Sequence, residues 1–214
     1  MMTLTSCSIN RESEPTTNSI DSTDYLYYIS GKIDGEPFIF GQKLDDSSLK
    51  YSNIIGGSLS GICAYGDSYG INYEVGVYPG FSENLASINF EFIRLYLCGQ
   101  TPTQAEQFNS LFPVKSYTIA SSNDNLNGTT GAVGATYSPN VGEDTYYTSY
   151  GGDQTNSYFE ITSSVEMNQY LLEVLVNVAQ EIEGNFAITL YNYDDPSDVI
   201  TITDGKFKLQ PALP

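Results

Sequence analysis

Apolar and polar residues alternate along most of this chain, and the period is two. The clearest case lies near the end. In Val199-Ile-Thr-Ile-Thr203 and Lys206-Phe-Lys-Leu209, the residues Ile200, Ile202, Phe207 and Leu209 fall on one face, with Thr201, Thr203, Lys206 and Lys208 on the other. Asp204-Gly205 between the two runs is a two-residue turn signal, so the pattern predicts a hairpin. The same arrangement opens the patterned region: an apolar run over 25–33, then Asp34-Gly35, then a return over 36–40. Further strands are predicted over 70–78, 87–98, 146–150, 157–162 and 186–193. In 87–98 the phase changes from Ile88, Phe90 and Phe92 to Ile93, Leu95 and Leu97. That shift predicts either a bulge or a strand covered on both faces.

One short α-helix is expected near residues 102–112. Thr101-Pro-Thr-Gln104 has the form of a capping box with proline at the first helical position. Ala105, Phe108, Leu111 and Phe112 would face the core, and Pro113 would end the helix. Residues 121–134, rich in Gly, Asn and Ser, read as a long loop. Residues 165–183 fit both periods. Leu171, Leu175, Val178, Ala179 and Ile182 make a helical stripe, whereas Leu172, Val174, Val176 and Val178 alternate with Glu173 and Asn177. The density of valine favours the strand. Short strands separated by turn signals predict an all-β fold, an antiparallel β-sandwich or alternatively a β-barrel, in a single domain over 25–210.

Composition narrows the setting. The net charge is −18, from 8 basic and 26 acidic residues. Such a surface is soluble and repels nucleic acid and anionic lipid. No stretch of about 18 apolar residues exists to span a membrane as a helix. The chain has no histidine, which excludes Ser-His-Asp and Cys-His catalysis. Asp and Glu in pairs could in principle hydrolyse glycosides, but Asp34, Asp195 and Asp204 sit in turn contexts. The expectation is a protein that is not an enzyme.

Leu4-Thr-Ser-Cys7 resembles the lipobox of bacterial lipoproteins, in which the cysteine is lipidated and becomes the first residue of the mature protein. Residues 1–7 then read as the remnant of a signal peptide. Its basic and apolar regions would lie upstream of Met1, because six residues are too few for both. Residues 8–24, rich in Ser, Thr, Asn and Glu, read as a flexible tether. With Cys7 lipidated, Cys63 and Cys98 remain. They are either a disulfide, worth about 3–4 kcal/mol for a loop of roughly 35 residues, or two buried thiols.

Lys32-Ile-Asp-Gly-Glu-Pro37, Phe108-Asn-Ser-Leu-Phe-Pro113, Gly152-Asp-Gln-Thr-Asn-Ser-Tyr-Phe-Glu-Ile-Thr162 and the ending Gly184-Asn-Phe…Thr201-Ile-Thr-Asp-Gly-Lys-Phe207 resemble a group of small outer-membrane lipoproteins of the Bacteroidota that has no assigned activity. The resemblance implies a lipid-anchored protein of the outer membrane, on its periplasmic or cell-surface face. It carries over no functional residues. Asp21-Ser-Thr23 also resembles the O-glycosylation acceptor of that phylum, which makes Ser22 a candidate.

Two constellations could bind something. Tyr65, Tyr69, Tyr146, Tyr147 and Tyr150 lie in loop-like contexts where aromatic rings stack on sugars. Asn123, Asn125 and Asn127 before Gly128 have the spacing of a calcium loop, but Gly134 stands where the bidentate glutamate belongs. Asp194, Asp195 and Asp198 form a second acidic turn; both read more readily as plain turns. No cofactor is expected, with calcium the one weak candidate. The functional expectation is a non-catalytic envelope lipoprotein, acting as an accessory subunit of an outer-membrane complex or as a binding module. A carbohydrate-binding module using the tyrosine loops is the alternative. A continuous exposed apolar patch would favour a protein partner; a groove lined by tyrosine and amide side chains would favour a glycan.

Overall fold

The computed structural model describes residues 22–47, 51–60, 68–79, 85–100, 103–121, 132–142 and 145–213. Strands make up 62% of the residues, and the one α-helix among those described is six residues long, so the fold is all-β. None of the described helices is long and apolar enough to cross a membrane.

A 3-10 turn at Ser22–Asp24 leads into β1 (Tyr25–Ile33), β2 (Glu36–Lys43), β3 (Tyr51–Ser60), β4 (Ser68–Pro79) and β5 (Ser87–Leu97). Helix α1 (Gln104–Asn109) follows, then β6 (Lys115–Ile119), β7 (Ala132–Ser138) and the two-residue β8 (Tyr147–Thr148). The chain ends with β9 (Tyr158–Glu166), β10 (Gln169–Leu171), β11 (Val174–Asn177), β12 (Gln180–Asn192) and β13 (Val199–Leu209). The large sheet has the order β2-β1-β13-β12-β9-β6-β7-β5-β4-β3. All its pairings are antiparallel except β6 with β7. β8 pairs with both β12 and β7, so β7, β8, β12, β9 and β6 close a five-strand ring. The expected sandwich and barrel therefore meet in one sheet: part of it closes on itself, and its two arms pack face to face.

Phenylalanines join the two arms. Phe90 of β5 meets Phe159 of β9 at 4.8 Å, Phe186 of β12 at 5.1 Å and Phe207 of β13 at 5.7 Å between ring centroids. Phe92 meets Phe112 and Tyr117. The two ends of the sheet also approach: Tyr27 of β1, the strand beside the edge strand β2, donates its hydroxyl to the Tyr51 carbonyl of the opposite edge strand β3 at 2.7 Å.

The first Asp-Gly pair is a turn as expected, with Asp34 at φ 50° and Gly35 at φ 90°. The second is not. Residues 199–209 form one continuous strand, and Asp204 at φ 53° is a bulge within it. The register shifts opposite, between Phe186 and Ile188 and between Ser30 and Lys32. The apolar phase explains it. Ile202 and Phe207 are five positions apart, an odd step, and share a face only if one residue is inserted. A hairpin and a bulge meet that condition equally; β13 lies between β1 and β12, and an unbroken strand pairs with both. Ile200, Ile202, Phe207 and Leu209 are buried together as expected.

The helix starts two residues later than expected. Thr103 is the N-cap, its hydroxyl accepting from the Glu106 amide at 3.2 Å while the Glu106 carboxylate accepts from the Thr103 amide at 2.7 Å. A carboxylate is the stronger acceptor than the amide of Gln104, so the second of two overlapping boxes prevails. Phe108, Leu111 and Phe112 are buried. β5 pairs with β4 in unbroken register from Ser68↔Leu97 to Val77↔Ile88, so there is no bulge there; Ser87 and Asn89 are buried on one face and Ile88, Phe90 and Phe92 on the other. The ambiguous stretch 165–183 is extended, as its valines suggested, but it is split into a small two-stranded sheet, β10–β11, between β9 and β12. β3 was not legible: its Gly-Gly and Ser positions carry no alternation.

Candidate ligand cleft

β8 is the strand that closes the ring, and its alternation sorts the candidate tyrosines. Thr148 faces the cleft together with the flanking Tyr146 and Tyr150, and Tyr147 does not. Tyr147 packs against Tyr137 at the core and donates its hydroxyl to Asp198 at 2.8 Å. Tyr146 instead meets Tyr193, just past the end of β12. The Tyr193 amide donates to the Tyr146 carbonyl at 3.0 Å, and the two rings stack at 4.7 Å between centroids, 23° apart. Tyr193 is 63% exposed.

Tyr146, Tyr150, Tyr193, Thr136, Thr148 and Asn192 line a cleft of about 530 Å³. Its floor is fixed from below. Tyr150 donates its hydroxyl to the Glu91 carboxylate of β5, and its ring fits because position 134 on β7 is glycine; any side chain there would run into the hydroxyl. The buried Ser149 holds the loop to β7 through its amide, 2.9 Å from the Ala135 carbonyl, and its Oγ, 3.1 Å from the Ala135 amide.

Glu91 and Glu74 are cross-strand partners on β5 and β4, a like-charge pair that would repel if both faced each other. Each is drawn to a different donor. Glu74 accepts from Tyr78 at 2.7 Å and from Asn89 at 2.8 Å, while Glu91 accepts from Tyr150. Burial and these hydrogen bonds push the hydroxyls of Tyr78 and Tyr150 well above the usual tyrosine pKa. Tyr146 is raised by desolvation, then by Tyr193 and Asp194.

The acidic turn is self-satisfied. Asn192 donates Nδ2 to Asp198 at 2.9 Å and accepts the Asp194 amide on Oδ1 at 3.0 Å. Asp195 accepts from the Ser197 hydroxyl at 2.6 Å and amide at 3.1 Å, which lowers its pKa. The carboxylates of Asp195 and Asp198 therefore shape a turn that Asp194 joins through its amide, and among the described residues no three His, Cys, Asp or Glu side chains converge as a metal site.

Of the other candidates, Cys7, Cys63, Tyr65, Asn123, Asn125 and Asn127 lie outside the described residues, as does the side chain of Tyr69. Ser22 is half-exposed in the first 3-10 turn. Cys98 is disulfide-bonded. Sequence reasoning missed Tyr193, Thr136 and Glu91. Tyr193 borders the acidic turn it had flagged, but only the β8–β12 pairing brings that turn to Tyr146.

The cleft offers aromatic faces and hydroxyls, with carboxylates behind them and no lysine or arginine among the described residues that line it. That environment suits an uncharged ligand and repels an anion. No protein-family model matches the chain, no curated protein is similar to it, and no solved structure matches it.

Proposed function

We propose that this protein is a non-catalytic lipoprotein of a Gram-negative outer membrane, and that it binds neutral carbohydrate in the Tyr146–Tyr193 cleft. The observation that carries the reading is the stacked Tyr146–Tyr193 pair, with one ring largely exposed beside hydroxyl-bearing walls. Sugars present C–H faces that stack on such rings. The position also fits. The cleft sits at the C-terminal end of β12, whereas the tethered N-terminus enters at the other end of the same sheet. β12 is 13 residues long, about 40 Å of strand. A lipid on Cys7 would hold the entry end at the membrane and leave the cleft facing away. Catalysis has little support: the chain lacks histidine, and Glu74 and Glu91 are committed to tyrosine and asparagine donors.

Titration calorimetry of the domain with neutral gluco- and manno-oligosaccharides tests the ligand. The expectation is saturable binding that Tyr193→Ala weakens about ten-fold. Binding that is unchanged in Tyr193→Ala, or absent across the panel, contradicts it. The second reading, an accessory subunit of an envelope assembly, has a different observation on its side: a continuous apolar surface on the β10–β11 hairpin.

A further inference from the structure

The β9–β12 hairpin does not end where its ladder joins the main sheet. It runs on through Met167, whose amide donates to the Ala179 carbonyl at 2.8 Å, into the two-stranded β10–β11 sheet. Every residue from 169 to 176 is exposed, so neither face of this ribbon packs on the domain. Yet six of the eight are apolar: Tyr170, Leu171, Leu172, Val174, Leu175 and Val176. Leu172 and Glu173 form the tip, both in the left-handed region at φ 49° and 66°. Leu172 is 91% exposed. Seven residues separate Leu172 from Ala179, about 20 Å of strand.

The ladder registers show which way this ribbon leaves the domain. Tyr28 pairs with Lys208, Leu209 with Ile182, and the Gln180 amide bonds to Pro211. Tyr25 at the start of β1 is therefore level with Gln180 at the start of β12, two strands away. The N-terminal chain enters at the end of the sheet from which the apolar ribbon leaves. The chain from Cys7 to Ser22 reaches at most about 50 Å when fully stretched, so an acyl group on Cys7 keeps that end close to the bilayer.

We propose that residues 169–176 are a membrane-docking finger, which inserts its tip into the same leaflet that holds the lipid on Cys7. The inference rests on the lipoprotein reading. Acyl chains on Cys7 would tether the domain through a flexible segment without fixing its orientation, and a second apolar contact would orient the cleft outward. Insertion is shallow. A two-stranded ribbon has free backbone groups on both edges, which hydrocarbon cannot satisfy. Leu171 and Leu172 enter the acyl boundary, Tyr170 sits at the interface, and Glu173 stays among the head groups. The ribbon itself carries no Lys or Arg, and the two cations near its base are engaged, Lys43 over the Tyr25 ring and Lys208 by Glu181 at 3.2 Å, so the lipid that fits is zwitterionic. Two copies, each at −18, would repel one another at this surface.

The chain contains no tryptophan, which makes a single-tryptophan test available. Leu172→Trp and Val199→Trp, a control at the opposite end of the sheet, are each made in a Cys7→Ala protein that carries no lipid. Both are mixed with phosphatidylcholine vesicles, with and without bromine on the acyl chains. The expectation is a blue shift and bromine quenching for Leu172→Trp alone, and at least a ten-fold loss of vesicle binding in Leu171→Asp with Leu172→Asp. No shift at position 172 overturns the proposal and leaves the ribbon for a protein partner; equal shifts at both positions overturn it as non-directional adsorption; concentration-dependent dimerisation without vesicles assigns the ribbon to a second copy. Because the test protein carries no lipid, its result is independent of whether Cys7 is acylated in the cell.

Discussion

Tyr193 lies flat against Tyr146, 4.7 Å between ring centroids, although 47 residues separate them in the chain. The contact exists because β8 pairs with β12 and closes the ring, and it separates two roles that adjacent tyrosines would otherwise share. Tyr193 is largely exposed, so Tyr193→Ala should leave the urea midpoint nearly unchanged, within about 0.5 kcal/mol, while weakening ligand binding. Tyr147→Ala should do the reverse. It removes a half-buried ring and the hydrogen bond to Asp198, and should cost about 2–4 kcal/mol. Comparable losses of stability in both variants would show that the two rings form one packing unit.

Asp34 ties the first hairpin to the strand beside it. Its amide donates to the Thr201 carbonyl at 3.0 Å, and its carboxylate accepts the Thr201 amide at 2.9 Å. Asp34 also tolerates φ 50° better than most residues. Asp34→Ala should destabilise by about 1–3 kcal/mol in urea unfolding, and Asp34→Asn, which keeps an acceptor and the backbone tolerance, by under about 1 kcal/mol. Equal losses would show that the carboxylate charge itself carries the contact.

Tyr78 and Tyr150 set an alkaline limit. Their folded pKa values lie above the ordinary value near 10, from burial first and then the glutamates they bond. Below pH 10 both states hold the phenolic proton and stability is independent of it. Above pH 10 the unfolded chain loses that proton while the folded one keeps it, so stability falls as pH rises. Urea midpoints measured through this range should decline, and Tyr78→Phe with Tyr150→Phe should flatten the decline. An unchanged slope in the double variant would place the alkaline sensitivity elsewhere.

Cys98 is disulfide-bonded. If Cys7 carries lipid, the partner is Cys63, in the connection between β3 and β4. Peptide mapping without reductant should recover a Cys63–Cys98 cross-link, and reduction should cost about 3–4 kcal/mol. A Cys98 thiol that reacts with maleimide in the unreduced native protein would contradict the pairing.

What was legible in the sequence was what alternation writes directly. The buried faces of β1, β13 and α1 follow from the spacing of Ile29, Ile200, Ile202, Phe207, Phe108 and Phe112. Asp204-Gly205 misled because a bulge and a hairpin turn need the same left-handed residue and the same odd step in phase. The turn at Leu172-Glu173 was invisible for the converse reason: no Asn, Asp or Gly marks it, and both residues adopt positive φ regardless. The cleft was half legible. Tyr146 and Tyr150 stood out as a cluster, but alternation in β8 removes Tyr147, and long-range pairing supplies Tyr193.

A lipid on Cys7 would give the proposed tether, finger and outward-facing cleft their common orientation. Expressed from its complete native gene in a Gram-negative host and purified from membranes, the protein should begin at Cys7 and carry the mass of two or three acyl chains on that residue. Cys7→Ala should abolish the acyl mass and shift most of the protein to the soluble fraction, since the finger alone would bind only reversibly. An unmodified Cys7 in a wild-type protein that is already soluble would contradict the account.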